Sequence, residues 1–160
     1  MSRKIKHGGP YQNLKIITSD NGRFGGKIFA TFDKQKAARY MGDFENGGDG
    51  WTKVDNVLFV LNTNPESLLK QSGSIYKLSF EGFDPDYHKG KKHNWIYSKK
   101  GSCHVLSETK YGSVLKTWDK LNIVAVPHHL SKTLLESRGT EKKKLIDKCI
   151  AFQKSLLSQK

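Results

Sequence analysis

Residues 57–80 constrain the fold of this chain more than any other stretch. "VLFVLNT" (57–63) has the apolar and β-branched composition of a buried strand. Asn64-Pro65 then begins a short helix, "PESLLKQ", with proline in its first turn, and Gly73 ends that helix before a second strand-type run, "SIYKLSF" (74–80). Short elements punctuated by Pro and Gly, without an internal repeat or a linker, support one α+β unit with a helical tail.

The remaining segments fit the same class. "NLKIITS" (13–19) and "KIFATF" (27–32) read as strands around a glycine-rich turn, and Asp33 is placed to cap a helix, "KQKAARYM", whose Ala37, Ala38 and Met41 would face the core. Further along the chain we expect the strands "HNWIYS" (93–98), "CHVLSE" (103–108) and "IVAVP" (123–127), and the helix "GSVLKTWDKLN" (112–122). Together these elements predict a mixed, mostly antiparallel split sheet with short helices.

The C-terminal segment differs from the rest. In residues 140–157 the apolar side chains fall mostly on one helical face, while the lysines lie largely elsewhere. We therefore predict one domain over residues 1–127 and a basic amphipathic helical extension over 128–160 that packs on that same domain.

Charge sets the first expectation about function. The 160 residues carry 28 Lys and Arg against 15 Asp and Glu, a net charge of +13. Residues 1–86 contribute +2 of this and residues 87–160 contribute +11. An excess of this size attracts the phosphate backbone of nucleic acids through counterion release, so a nucleic acid is the first partner to consider.

The cysteines and the lengths of the apolar runs indicate the cellular compartment of the protein. Cys103 and Cys149 have no Cys-x-x-Cys or zinc spacing around them, so we expect two reduced, buried thiols. No run approaches the roughly 20 apolar residues of a membrane span, and the N-terminus lacks the apolar core of a signal peptide. We expect a monomeric cytoplasmic protein without membrane contact.

Several short pieces, in their order along the chain, resemble the ADP-ribosyltransferase-like group, including small bacterial and phage proteins of that kind. A His-Gly pair, His7-Gly8-Gly9, is followed by a "Phe-Ala-Thr" strand ending at Thr31 and by an Ala-rich helix ending in Tyr40. The later pieces are "GSIYKLSFEGFDP" (73–85), "WIYS" (95–98) and "YGSVLKTWDKLNI" (111–123), so the resemblance covers about residues 5–126.

This resemblance implies that NAD is the substrate and that a His, a Tyr and a Glu act on it. His7 would orient the ribose, Tyr40 would stack on the nicotinamide, and Gly8, Gly9 and Thr31 would complete the cofactor site. The acid is Glu108 or Glu81, and Glu108 ranks first because it is nearer the late strand on which the family carries its acid. Lys99-Lys100 stands where acids are expected after "WIYS", a departure that would suit a fold repurposed for binding.

A basic and aromatic segment carries the expected contact with nucleic acid. "DYHKGKKHNW" (86–95) combines cations that grip phosphates with aromatics that stack on unpaired bases. The predicted contact residues are Lys89, Lys91, Lys92, His93, Trp95, Lys99 and Lys100. A metal site is not expected there, because the clustered lysines would repel a cation and no carboxylate or thiol completes a ligand shell.

Two other functions stay open. One is a non-catalytic nucleic-acid-binding protein with the same fold, and the other is a small inhibitor or accessory protein whose basic face binds an acidic protein. The first of these would show strongly salt-dependent nucleic-acid binding and no turnover of NAD.

Overall fold

The computed structural model describes residues 5–18, 28–41, 50–79, 95–98 and 102–158, with the backbone alone for 28, 29 and 95–98. In chain order its elements are β1 (Ile5–Gly9), β2 (Ile16–Thr18), β3 (Ile28–Thr31), α1 (Lys34–Arg39), β4 (Trp51–Val54), β5 (Val57–Thr63), α2 (Pro65–Lys70), β6 (Gly73–Leu78), β7 (Trp95–Ser98), β8 (Ser102–Tyr111), α3 (Val114–Lys120), β9 (Ile123–Pro127), α4 (His128–Glu136) and α5 (Gly139–Ser158). The predicted α+β class is confirmed: two mostly antiparallel sheets, short helices and a long C-terminal helix.

The chain divides into two compact units, and each is built from two separate segments. Unit 1 combines residues 1–41 with 73–110, and unit 2 combines residues 42–72 with 111–160. Within the part of the chain that the structure describes, no helix is long and apolar enough to cross a membrane.

Unit 1 contains a six-stranded sheet in the order β2-β8-β6-β1-β3-β7. Strand β1 lies near its centre, antiparallel to β6 on one side and to β3 on the other. The register with β6 runs from Ile5 opposite Leu78 to Gly9 opposite Ser74. Its core is a buried cluster of Ile5, Ile17, Ala30, Tyr76, Leu78 and Cys103.

Helix α1 packs on β1 because Gly8 has no side chain. A Cβ at Gly8 would lie 1.8 Å from the carbonyl oxygen of Ala37, so only glycine allows the helix backbone to approach the strand this closely. The predicted cap is confirmed, since the Asp33 carboxylate accepts from the backbone N–H groups of Gln35 and Lys36. Ala37, Ala38 and Met41 are fully buried, as predicted.

Unit 2 contains a three-stranded sheet in the order β4-β5-β9, in which β5 and β9 run parallel. Both strands end where the sequence indicated, at Thr63 and Pro127. The inner core combines residues from this sheet with residues from α4 and α5: Phe59, Leu61, Val124, Val126, Leu134 and Cys149. Cys103 and Cys149 are both buried free thiols, which confirms that expectation.

The edge of β9 away from β5 is closed by one side chain from α5. The carboxamide of Gln153 accepts from the N–H of Ala125 at 2.8 Å and donates to the carbonyl of Ile123 at 3.0 Å. It also donates to Asp119 at 3.2 Å, and Gln153 is only 1% exposed. Gln153 therefore supplies the hydrogen bonds that a neighbouring strand would otherwise make.

Candidate functional site

The candidate site lies on one face of the unit 1 sheet. His7 on β1 is directly opposite Tyr76 on β6, and Gly9 is directly opposite Ser74. Because residues two apart in a strand share a face, these four residues point to the same side of the sheet. His7 is half-buried, whereas Ser74 and Tyr76 are fully buried.

Glu108 joins this face from β8, the strand next to β6. Its carboxylate accepts from the hydroxyl of Ser74 at 2.6 Å and from the backbone N–H of Asn13 at 3.0 and 3.1 Å. The inward positions of β8 are Cys103, Val105 and then Glu108, so the spacing between them changes from two residues to three. Such a slip of one residue is typical of a β-bulge. That slip brings the side chain of Glu108 onto the face of Tyr76.

The surroundings of Glu108 favour its ionised form. Burial raises the pKa of the carboxyl, but the hydrogen bonds from Ser74 and Asn13 and the nearby Tyr76 hydroxyl outweigh this, with a smaller contribution from the positive charge of Lys110. The pKa therefore lies below its ordinary value of 4.5, and the group is a carboxylate at neutral pH. A carboxylate offers about four acceptor positions, and the Ser74 hydroxyl and the shared Asn13 N–H take up three of them, which leaves one for a ligand hydroxyl.

Tyr76 and Glu108 together fix the segment that follows β1. The hydroxyl of Tyr76 donates to the carbonyl of Tyr11 at 2.8 Å and accepts from the N–H of Leu14 at 3.4 Å. Burial, and then the charge of Glu108, raise the pKa of this phenol, although the hydrogen bond from Leu14 opposes them. Asn13, which has a left-handed φ of 67°, accepts through its side chain from Lys110.

Sequence reasoning named His7 and Glu108 but missed the residues that hold them together. Ser74, Tyr76 and Asn13 carried no local signal, because their partners are 34 to 95 residues away along the chain. The period-2 pattern of "SIYKLSF" was the one usable clue, since it puts Ser74 and Tyr76 on the same face of a strand.

Tyr40 and Thr31 lie elsewhere on unit 1. Tyr40 forms the C-cap of α1, is half-buried, and has the guanidinium of Arg39 over its ring at 4.8 Å. Helix α1 packs on the face of β1 that carries Gly8, so the helix that ends in Tyr40 lies on the face opposite His7. Thr31 is fully buried, and its hydroxyl accepts from the N–H of Asp33 at 3.1 Å.

Most of the predicted nucleic-acid contacts lie outside the described residues. This applies to Lys89, Lys91, Lys92, His93, Lys99 and Lys100, and also to the alternative acid Glu81. Trp95 begins β7, where its backbone is opposite Thr31.

Most of the positive charge belongs to unit 1, although most of it lies in the second half of the sequence. Unit 1 holds 16 Lys and Arg against 6 Asp and Glu (+10), and unit 2 holds 12 against 9 (+3), which together give +13. The lysines between Lys89 and Lys110 explain the difference, because they belong to the second half of the sequence but to unit 1. Among the described residues, no group of three His, Cys, Asp or Glu side chains could hold a metal ion.

No family model matches the chain, and neither the curated proteins nor the solved structures include a significantly similar one.

Proposed function

We propose that this chain is an ADP-ribosyltransferase-like protein that uses NAD as its substrate. One observation carries the proposal: an ionised Glu108, oriented by Ser74 and Asn13, adjoins the Tyr76 side chain that is directly opposite His7. The histidine and the acid that the resemblance implies thus share one face of the sheet, on strands β1 and β8 with β6 between them.

In the proposed reaction the bond between nicotinamide and the ribose C1′ breaks, and its electron pair leaves with nicotinamide. Positive charge develops on the ribose carbon, and the Glu108 carboxylate stabilises it. His7 donates or accepts a hydrogen bond at a ribose hydroxyl. The acceptor nucleophile then bonds to C1′ and loses its proton to solvent. Gly9 lies on this face beside His7, whereas Gly8 and Thr31, which the resemblance also assigns to the cofactor, point to the opposite face, where helix α1 and Tyr40 lie.

Release and transfer of labelled NAD test this proposal. We expect the wild-type protein to release nicotinamide and to transfer label to a nucleic-acid acceptor, with transfer to protein assayed in parallel. Glu108→Gln should lower the release rate by about 10²- to 10³-fold, since a preorganised charge that acts on the transition state is lost. Glu136→Gln, an exposed change of the same chemistry on α4, is the matched control and should leave the rate unchanged.

The outcomes separate the claims. Full activity in Glu108→Gln would transfer the acidic role to Glu81, which the same assay tests as Glu81→Gln. A wild-type protein that neither binds NAD nor releases nicotinamide would overturn the proposal.

The exposed lysines of α5 favour a second function, the binding of nucleic acid without catalysis. Lys143, Lys144 and Lys148 are exposed on this helix, and none of them forms an ion pair within the described ranges. Lys154, by contrast, pairs with Asp119 at 2.8 Å. Unpaired exposed cations on one helix are suited to phosphate contacts, each of which releases a counterion.

Salt titration of nucleic-acid affinity tests the second function. Reversing Lys143, Lys144 and Lys148 to Glu should weaken binding to single-stranded and duplex probes alike and reduce the slope of log K against log salt by about 2 to 3. Reversing Lys53, Lys70 and Lys116, which are also exposed in unit 2, is the control with equal charge change. Reversal of Lys89, Lys91 and Lys92 tests the other predicted contacts.

Failure to bind any nucleic acid at low salt would instead favour an acidic protein as the partner. The proposed compartment is the cytoplasm, where NAD is available and the free thiols of Cys103 and Cys149 are stable.

A further inference from the structure

Two aromatic rings flank Gly9 at the end of β1. A Cβ added at Gly9 would lie 3.3 Å from Cδ2 of Tyr11 and 3.9 Å from Nε2 of His7. Both rings therefore lie within 4 Å of one point above a residue that has no side chain of its own. The lack of a side chain at Gly9 allows the ring of Tyr11 to lie against the strand beside His7.

The backbone that carries Tyr11 is fixed on three sides. The carbonyl of Tyr11 accepts from Tyr76, the side chain of Gln12 donates to the carbonyl of Gly73 at 3.1 Å, and the N–H of Asn13 donates to Glu108. Despite these anchors the side chain of Tyr11 is 38% exposed. A ring on a fixed backbone binds a flat ligand at a lower conformational cost than a ring on a loose segment, because only the side chain remains to be ordered on binding.

Tyr11 also shares its anchors with the proposed acid. Glu108 binds the N–H of Asn13, two residues after Tyr11, and adjoins the Tyr76 hydroxyl that holds the Tyr11 carbonyl. A planar group stacked on Tyr11 would thus lie beside both His7 and the carboxylate. Tyr40, in contrast, ends a helix on the opposite face of β1.

We propose that Tyr11, rather than Tyr40, is the aromatic platform for the flat, positively charged nicotinamide ring of NAD. This inference rests on the function proposed above and names the residue that positions the leaving group. Stacking on Tyr11 holds the bond between nicotinamide and ribose over the face that carries His7 and Glu108. The electron-rich face of the phenol ring favours the cationic nicotinamide of NAD over the neutral ring of NADH.

A set of substitutions at the two tyrosines tests the proposal through NAD affinity, measured by titration calorimetry on the full chain. Tyr11→Leu keeps an apolar contact with Gly9 but removes the stack, and it should weaken NAD binding about tenfold or more. Tyr11→Phe keeps the stack and should stay within about twofold of wild type. Tyr40→Leu should bind NAD as wild type does.

A second variant keeps the tyrosine at position 11 but shifts its ring by a substitution at Gly9. Gly9→Ala puts a methyl group 3.3 Å from Cδ2 of Tyr11, so the ring must shift by a few tenths of an ångström from its place against the strand. We expect a folded protein by circular dichroism with weakened NAD binding. Saturation transfer from the protein to the nicotinamide protons should fall in Gly9→Ala and in Tyr11→Leu.

The outcomes distinguish the two proposals. If the wild-type protein binds NAD and releases nicotinamide while Tyr11→Leu binds equally well, or if Tyr40→Leu is the variant that loses binding, Tyr11 is not the platform and the proposed function survives. If the wild-type protein does not bind NAD at all, the proposed function fails and this inference fails with it.

Discussion

The two units use polar side chains that gather several hydrogen bonds in opposite ways. In unit 2 the carboxamide of Gln153 is sealed, and its hydrogen bonds to Ala125, Ile123 and Asp119 serve the edge of a strand. In unit 1 the polar group that gathers donors is a half-exposed carboxylate, Glu108, which meets solvent at its outer side. A polar group with all its bonds made inside the protein stabilises the fold, whereas one that keeps a free acceptor position is available to a ligand.

The largest effect is expected from Gly8→Ala in unit 1. The new methyl group would collide with the backbone of α1 at Ala37, which cannot move like a side chain. We expect a loss of about 3 kcal/mol in the free energy of unfolding, measured in urea. Hydrogen exchange should accelerate more in β1 and β6 than in β5 and β9, because the damage lies in unit 1. Equal acceleration in both sheets would show that the units do not open separately.

The next largest effect should come from Gln153→Ala, which removes the sealed carboxamide of unit 2. It leaves the N–H of Ala125 and the carbonyl of Ile123 without their partner, at a cost of about 2–4 kcal/mol in unfolding free energy. The control is the neighbouring Lys154→Ala, which removes a partly exposed ion pair and should cost less than about 1 kcal/mol. A Gln153→Ala protein as stable as the control would mean that the edge of β9 does not depend on this side chain.

The dependence of stability on pH tests the contribution of the Glu108 carboxylate in unit 1. Since the folded-state pKa of Glu108 lies below its ordinary value of 4.5, this group stabilises the folded state above that pH and loses the contribution as pH falls through its folded pKa. Glu108→Gln should therefore flatten the fall in melting temperature below about pH 4.5. Ser74→Ala, which removes the 2.6 Å hydrogen bond, should flatten it partly. An unchanged profile in both variants would contradict the proposed network.

The smallest effect is expected on the outer side of β8. Leu106 is 62% exposed, so Leu106→Thr removes little buried apolar area while keeping a residue that suits a strand. The free energy of unfolding should stay within about 0.5 kcal/mol of wild type. A larger loss would indicate that Leu106 is covered in solution, which a sedimentation experiment would detect as self-association.

Local patterns in the sequence predicted the elements but not the contacts between them. The bounds of β5 and β9 and the cap at Asp33 depend on neighbouring residues, and they were right. Helix α4 was missed because its apolar repeat is short, Leu130 and Leu134, and because Pro127 and two histidines before it give no helix signal. Strand β4 was missed because it begins at Trp51, directly after the glycine-rich run "ENGGDG", which favours a loop.

The same distinction applies to the candidate site. Glu108 was named from its place on a late strand, but its partners Ser74 and Asn13 belong to other strands and loops. In the sequence, Gln153 is one polar residue of an amphipathic helix, and only the tertiary structure shows that it bonds to β9. Hydrogen bonds across 28 to 95 residues leave no periodic trace in a single sequence.

The interleaving of the two units also sets an order for folding during synthesis. Strand β5 is made long before its parallel partner β9, and residues 73–110 between them belong to the other unit. At ribosomal rates of about 5–20 residues per second, roughly 3 to 12 seconds separate the two strands. During this interval Phe59 and Leu61 lack Val124 and Val126, their partners in the unit 2 core, so the nascent chain exposes apolar side chains that favour aggregation.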